Sequence, residues 1–195
     1  MSNEIIGMIL SLIGMAISIL SFQIRKRNSF LLAQTVSVVF FLTALIFSGG
    51  GVGAGLNVVN IGRNIWAMRI KDDNKQGRIT MCRVCCGAYV LVYAAFWLLF
   101  RPPVSDMLWG LLPLTASIFG SLALVQLDPV KLRKIKSVDA ACWLTYNCHI
   151  GLGALGGILC DSISLISIGL AIWRFRKQDR AAENAERPAG DPEEF

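Results

Sequence analysis

Three asparagines, Asn57, Asn60 and Asn64, recur at i, i+3 and i+7 within residues 49–71, a stretch otherwise apolar enough to cross a bilayer. At helical periodicity they line one face. Amides both donate and accept hydrogen bonds, so such a row suits a polyhydroxylated or zwitterionic solute. Polar side chains at membrane depth are expensive and turn toward a bundle interior or a water-filled cavity. Arg63 lies in the same stretch and is its costliest group. It must snorkel to one surface or meet a carboxylate, and a direct bond to Asp161 is not expected on helical spacing. Further along, Tyr146, Asn147 and His149 fall near the middle of one apolar span, and Asp161, Ser164 and Ser167 fall in the next. The candidate solute ligands are therefore Asn57, Asn60, Asn64, Asn147 and Ser164. His149 is the only histidine, a residue type suited to proton coupling, and Asp161 can carry a proton or hold a cation. These two are the candidates for coupling.

The same residues have a structural use. Asn and Ser between membrane helices form interhelical hydrogen bonds worth about 0.6–2 kcal/mol each. A solute site and interhelical glue both remain open on the sequence. Catalysis finds no support, because G-x-S-x-G, H-E-x-x-H and a phosphate-cradling loop after a strand are all missing. Cys82, Cys85 and Cys86 lack a second Cys/His pair at metal-binding spacing, so neither a metal nor a cofactor is expected.

The elements that position these residues are membrane helices. With 54% apolar and 16% charged residues and a mean hydropathy of +0.57, the chain departs from soluble composition toward the polytopic membrane class. The net charge of +6 does not point to nucleic acid, because the basic residues form short clusters between apolar spans. The expected partners are the lipid bilayer and a small polar solute. Seven spans are predicted, at about 5–23, 30–48, 56–70, 80–100, 107–127, 139–155 and 158–173. Basic clusters follow the first, third, fifth and seventh, whereas the opposite side holds only Arg101. The positive-inside rule then puts the N-terminus outside and the C-terminus in the cytoplasm. Residues 179–195 are acidic and poor in apolar residues, and are expected to be a disordered tail.

A shift of 107 positions lays Ile61-Gly62 on Ile168-Gly169, Ile65-Trp66 on Ile172-Trp173 and Gly49-Gly50 on Gly156-Gly157. It also lays Asn57 and Asn60 on Ser164 and Ser167. Two like-oriented three-helix units, 1–71 and 107–178, would flank a linker region at 72–106 that includes the odd fourth helix. The fold class is thus an all-α polytopic membrane protein, with seven transmembrane helices in a 3+1+3 parallel-repeat arrangement. Transporters built this way hold their solute near midplane between the repeats.

Leu111-Leu112-Pro113, Ala123-Leu124, Cys142-Trp143 with Asn147, and Gly153 through Gly156-Gly157 to Asp161 resemble the bacterial inner-membrane YgjV family, as do Leu56-Asn57 and Arg63. That family tends to carry Glu where this chain has Asp161. The resemblance covers nearly all of the membrane part and implies a multi-pass protein of the inner membrane; it brings no function with it. More distantly, Ser21-Phe22-Gln23 through Lys26 to Ser29 is similar to the first loop of PQ-loop and SWEET-type carriers, with Phe22 where those have proline. That likeness implies a 3+1+3 build and movement of a small solute by alternating access. The alternative is a non-transporting scaffold or accessory subunit.

Overall fold

The computed structural model describes residues 2–21, 27–71, 73–126 and 129–186. Within them the chain forms seven α-helices: α1 (Asn3–Ser21), α2 (Arg27–Phe47), α3 (Gly51–Arg69), α4 (Lys75–Phe100), α5 (Val104–Val125), α6 (Pro129–Ile150) and α7 (Leu155–Glu186). A 3-10 turn, Leu152–Ala154, precedes α7.

Side-chain size is sorted in the inverse of a soluble bundle. All five buried residues of α1 are Gly or Ser: Gly7, Ser11, Gly14, Ser18 and Ser21. Ile5, Ile9, Ile13 and Leu20 of the same helix are exposed. α4 likewise exposes Val84, Val90, Leu91, Leu98, Leu99 and Phe100. Lipid tails are as apolar as leucine, so large aliphatics gain nothing by turning inward, while small residues let backbones approach and gain dispersion contacts. Five helices are long and apolar enough to span a membrane: α1, α2, α4, α5 and α7. Seven spans were expected from the sequence. α3 and α6 fall short because one carries Asn57, Asn60, Arg63 and Asn64 and the other begins in the basic run at Lys131–Lys136. Asn57, Asn60 and Asn64 are all buried, so the polarity of α3 is directed into the protein.

The helices pack in the circular order α1, α2, α3, α5, α6, α7 and back to α1, with α4 lying outside against α3 and α5. At the α7–α1 contact the backbones meet closely. A Cβ placed on Gly156 would lie 2.0 Å from the Ser11 carbonyl oxygen, and the Gly156 amide donates to Ser11 Oγ at 3.0 Å. That bond satisfies one of the unpaired amides that open any helix.

Three boundaries differ from the sequence reading. α6 begins at Pro129, ten residues earlier than expected, and ends at Ile150 rather than at 155. The basic run that looked like a loop is helical, since Lys, Leu and Arg are good helix formers. Gly151, at φ +86°, breaks the chain in a left-handed conformation that suits glycine. The glycine run at 51–55 is the start of α3 rather than a turn, and the turn itself uses Gly49 at φ +78°. In the helix, Gly53 makes room for the Tyr146 ring, which a Cβ there would approach to 2.7 Å. Finally, α7 continues past Asp179 to Glu186, because DRAAENAE is a helix-compatible segment. Residues 187–195 of the expected tail lie outside the described residues.

Candidate solute cavity

The six helices of the ring enclose a cavity of about 370 Å³, and α4 supplies none of its lining. Along α2 the lining runs from Phe30 to Leu45, fifteen steps of 1.5 Å or about 22 Å. The cavity therefore occupies most of a bilayer's hydrocarbon depth. Its two ends differ. Near the glycine turns it is sealed by Ala44, Leu45 and Ala154, each at most 3% exposed. There a Cβ on Gly153 would collide with Ser48, and Tyr146 Oη accepts a hydrogen bond from the Gly53 amide at 3.4 Å. At the basic end the lining includes Leu132 and Lys136, and the Lys136 side chain is 50% exposed. The basic clusters thus border this end of the cavity.

Asn57, Asn60, Asn64, Asn147, Ser164 and Asp161 all line this space. Their roles within it divide. Asn60 is committed on both sides of its amide: Nδ2 donates to Asn57 Oδ1 at 3.1 Å, and Oδ1 accepts from Tyr89 Oη at 2.7 Å. Tyr89 reaches in from α4, fully buried, and its hydroxyl also meets Ser121 Oγ of α5 at 3.2 Å. Asn64 Oδ1 accepts from Arg63 Nε and Nη2 at 3.4 and 3.2 Å. Asn60 thus ties α3 to α4, and Asn64 orients the Arg63 guanidinium, which reaches Ser121 of α5. Asn147 Nδ2 donates to Asp161 Oδ2 at 3.0 Å, linking α6 to α7 and presenting a carboxylate to the cavity.

His149 is placed elsewhere. Because α6 starts so early, His149 lies in its last turn rather than at mid-span, exposed and stacked on Trp109 with ring centroids 4.3 Å apart. It borders a separate cavity of about 200 Å³ beside Tyr93, Trp97 and Asp106. Asn147 also sits near the helix end instead of its middle, yet it still faces the central cavity. Ser167, the expected counterpart of Asn60, is exposed.

Several lining residues escaped the sequence reading. Gln34 of α2 donates to the hydroxyls of Ser18 and Ser21 on α1. Its signal was a lone amide in an apolar span. Ser117 lines the cavity at 1% exposure, and its Oγ has no hydrogen-bond partner among the described residues. Lys136 and Asp139 form an i, i+3 ion pair on the first half of α6, and both line the cavity. They were read as loop or helix end. Arg63 neither snorkels nor meets Asp161. Its Nη1 donates to Ser121 Oγ at 3.2 Å, and the nearby acid is Asp139. Arg63 Nη1 and Asp139 Oδ2 each lie 3.2 Å from the point a Cβ on Gly120 would occupy, so they are at most 6.4 Å apart (2 × 3.2 Å). Gly120 thus leaves open the space between an arginine and an aspartate.

A family model described as Imp-YgjV, bacterial inner membrane protein, matches residues 5–179. No curated protein and no solved structure matches the chain, so the more distant likeness to PQ-loop and SWEET-type carriers gains no support from these comparisons.

Proposed function

The chain belongs to the Imp-YgjV family of bacterial inner membrane proteins, and from that premise we propose that it carries a small polar solute, sugar-like or amino-acid-like, by alternating access. The observation that carries this reading is the cavity of about 370 Å³, whose wall bears amides, hydroxyls and charges from six helices. Its volume falls within the range of small-ligand sites. Groups so costly in a lipid protein are retained where they face water or a guest. The unpaired Ser117 hydroxyl is one such group.

The helix order supports reading the chain as two like units. α1–α2–α3 and α5–α6–α7 follow one another round the ring, the order in which a two-fold axis along the membrane normal would relate the α3–α5 seam to the α7–α1 seam. Asn57 and Ser164, paired by the 107-residue shift, both line the cavity. With the basic clusters in the cytoplasm, the end of the cavity lined by Leu132 and Lys136 faces inward.

The scaffold alternative draws on the Asn60–Tyr89–Ser121 network, which serves helix packing. Uptake into proteoliposomes separates the two. A carrier accumulates a labelled solute from a screen of sugars and amino acids, and Asn147→Ala reduces that uptake while the protein stays folded. No uptake of any solute, or unchanged uptake by Asn147→Ala, would count against transport through this cavity.

A further inference from the structure

Arg63 of α3 and Asp139 of α6 come together beside Gly120 of α5, and all three line the cavity. Arg63 Nη1 and Asp139 Oδ2 each lie 3.2 Å from the point a Cβ on Gly120 would occupy, so they are at most 6.4 Å apart (2 × 3.2 Å). They do not pair with each other: the guanidinium bonds to Asn64 and Ser121, and the carboxylate pairs with Lys136. Their separation therefore exceeds the ~4 Å of an ion pair. A single oxygen bonded to both at about 2.9 Å, with a tetrahedral angle between the two bonds, holds its partners about 4.7 Å apart. That distance falls inside the observed limits.

The two partners dictate what the oxygen must do. A guanidinium only donates and an ionised carboxylate only accepts, so the oxygen must accept from one and donate to the other. A hydroxyl does both. A guest carboxylate at this point would stand against Asp139, and a guest ammonium would stand against Arg63. The bond from Lys136 leaves Asp139 with acceptor sites to spare, since a carboxylate offers about four.

A water meets the same demand, so the rest of the wall decides what brings the hydroxyl. Ser117 lies one turn before Gly120 on the same face of α5, and its buried Oγ has no hydrogen-bond partner among the described residues. On α3, Asn57 and Asn64 each accept through Oδ1, and neither Nδ2 is bonded among the described residues. Asn147 of α6 donates through Nδ2 and leaves Oδ1 free among them. These unused groups are neutral, and they include both donors and acceptors. Hydroxyls match either kind.

We propose that the solute is a neutral polyhydroxylated molecule, of sugar or polyol class, one hydroxyl of which bridges Arg63 and Asp139 in the space left by Gly120, while a second meets Ser117. This inference rests on the carrier reading and narrows it to one class of solute.

The test uses the full chain in proteoliposomes, with glucose, galactose, myo-inositol and xylitol as neutral probes and glycine and glutamate as charged ones. Thermal shift in detergent provides a binding readout that does not require transport. At least one neutral probe should accumulate about tenfold or more above glycine and glutamate, the scale of one hydrogen bond to a charged group. Gly120→Ala should lower that uptake at least about tenfold without lowering the melting temperature of the unliganded protein. Ser117→Ala removes a hydroxyl that bonds to nothing in the protein described, so it should weaken uptake of the same probe and leave stability unchanged or raised. A purely structural serine would lose stability instead. If Gly120→Ala does not fold, the Ser117→Ala result decides alone. Uptake of glycine or glutamate without the neutral probes would overturn this inference and leave the carrier reading standing. Neutral-probe uptake that neither variant changes would also overturn it, with water as the bridging oxygen. Failure of every probe to bind or move would overturn both.

Discussion

Removing one oxygen atom, in Tyr89→Phe, tests whether the amide row of α3 is shared between packing and binding. Tyr89 is 0% exposed, and its hydroxyl is the donor to Asn60 Oδ1 at 2.7 Å. Ser121 keeps its bonds to Arg63 and to the Ser117 carbonyl, so the loss falls on Asn60, itself 5% exposed. An interhelical hydrogen bond in a membrane protein is worth about 0.6 kcal/mol on average and up to about 1.7. An acceptor left buried and unpaired raises the cost toward 1–3 kcal/mol, on the order of the desolvation penalty. We expect a destabilisation of about 1–2 kcal/mol, a factor of roughly 5–30 in the folded-to-unfolded ratio. Equilibrium unfolding in mixed detergent micelles measures it, and a double-mutant cycle with Asn60→Ala isolates the pair. The coupling energy should be about 0.6–1.7 kcal/mol, and Tyr89→Phe should leave the solute specificity of any uptake unchanged. A neutral Tyr89→Phe, or strictly additive single mutants, would refute the assignment of Asn60 to packing and return it to the solute-contacting set.

The α7–α1 seam gives a second expectation. In Gly156→Ala the new methyl would lie 2.0 Å from a backbone oxygen, which cannot rotate away. The loss should reach the exceptional range of about 4–5 kcal/mol or prevent folding, read as the yield of monodisperse protein. Overpacking against a flexible side chain would cost less, so a Gly156→Ala protein of ordinary stability would contradict the close helix approach. The third concerns orientation: in a cysteine-free background, a single cysteine at position 101 should react with an impermeant maleimide on intact inner-membrane-exposed cells. One at position 73 should react only after permeabilisation, and the reverse pattern would invert the assignment drawn from the basic clusters.

The inward turn of the α3 amides was readable before any coordinates. The i, i+3, i+7 asparagines predicted a buried polar face, and Asn57, Asn60 and Asn64 are buried on α3. Asn147, Asp161 and Ser164 reach the same cavity because apolar periodicity identified their helices, even with imprecise ends. The start of α6 was not legible. KLRKIKSVD lacks the apolar character by which membrane helices are recognised, so Lys136 and Asp139 looked like solvated residues and His149 like a mid-span one. What makes the segment helical is intrinsic propensity and the shelter of the ring, and hydropathy registers neither. Tyr89 was equally silent. One hydroxyl in α4 carries no pattern, and its importance comes from packing against α3 and α5.

α4 packs not across the α7–α1 contact but across the α3–α5 contact. There Tyr89 clips both neighbours, and Tyr93 Oη adds a bond to the Met107 carbonyl at 2.9 Å. The opposite junction has no such tyrosine strap among the described residues; there Gly156 lies against the Ser11 backbone. Should the halves swing, the strapped junction is the spine and the bare one the fore-edge of a book. Motion would then be lopsided in a protein whose helix order is otherwise even-handed.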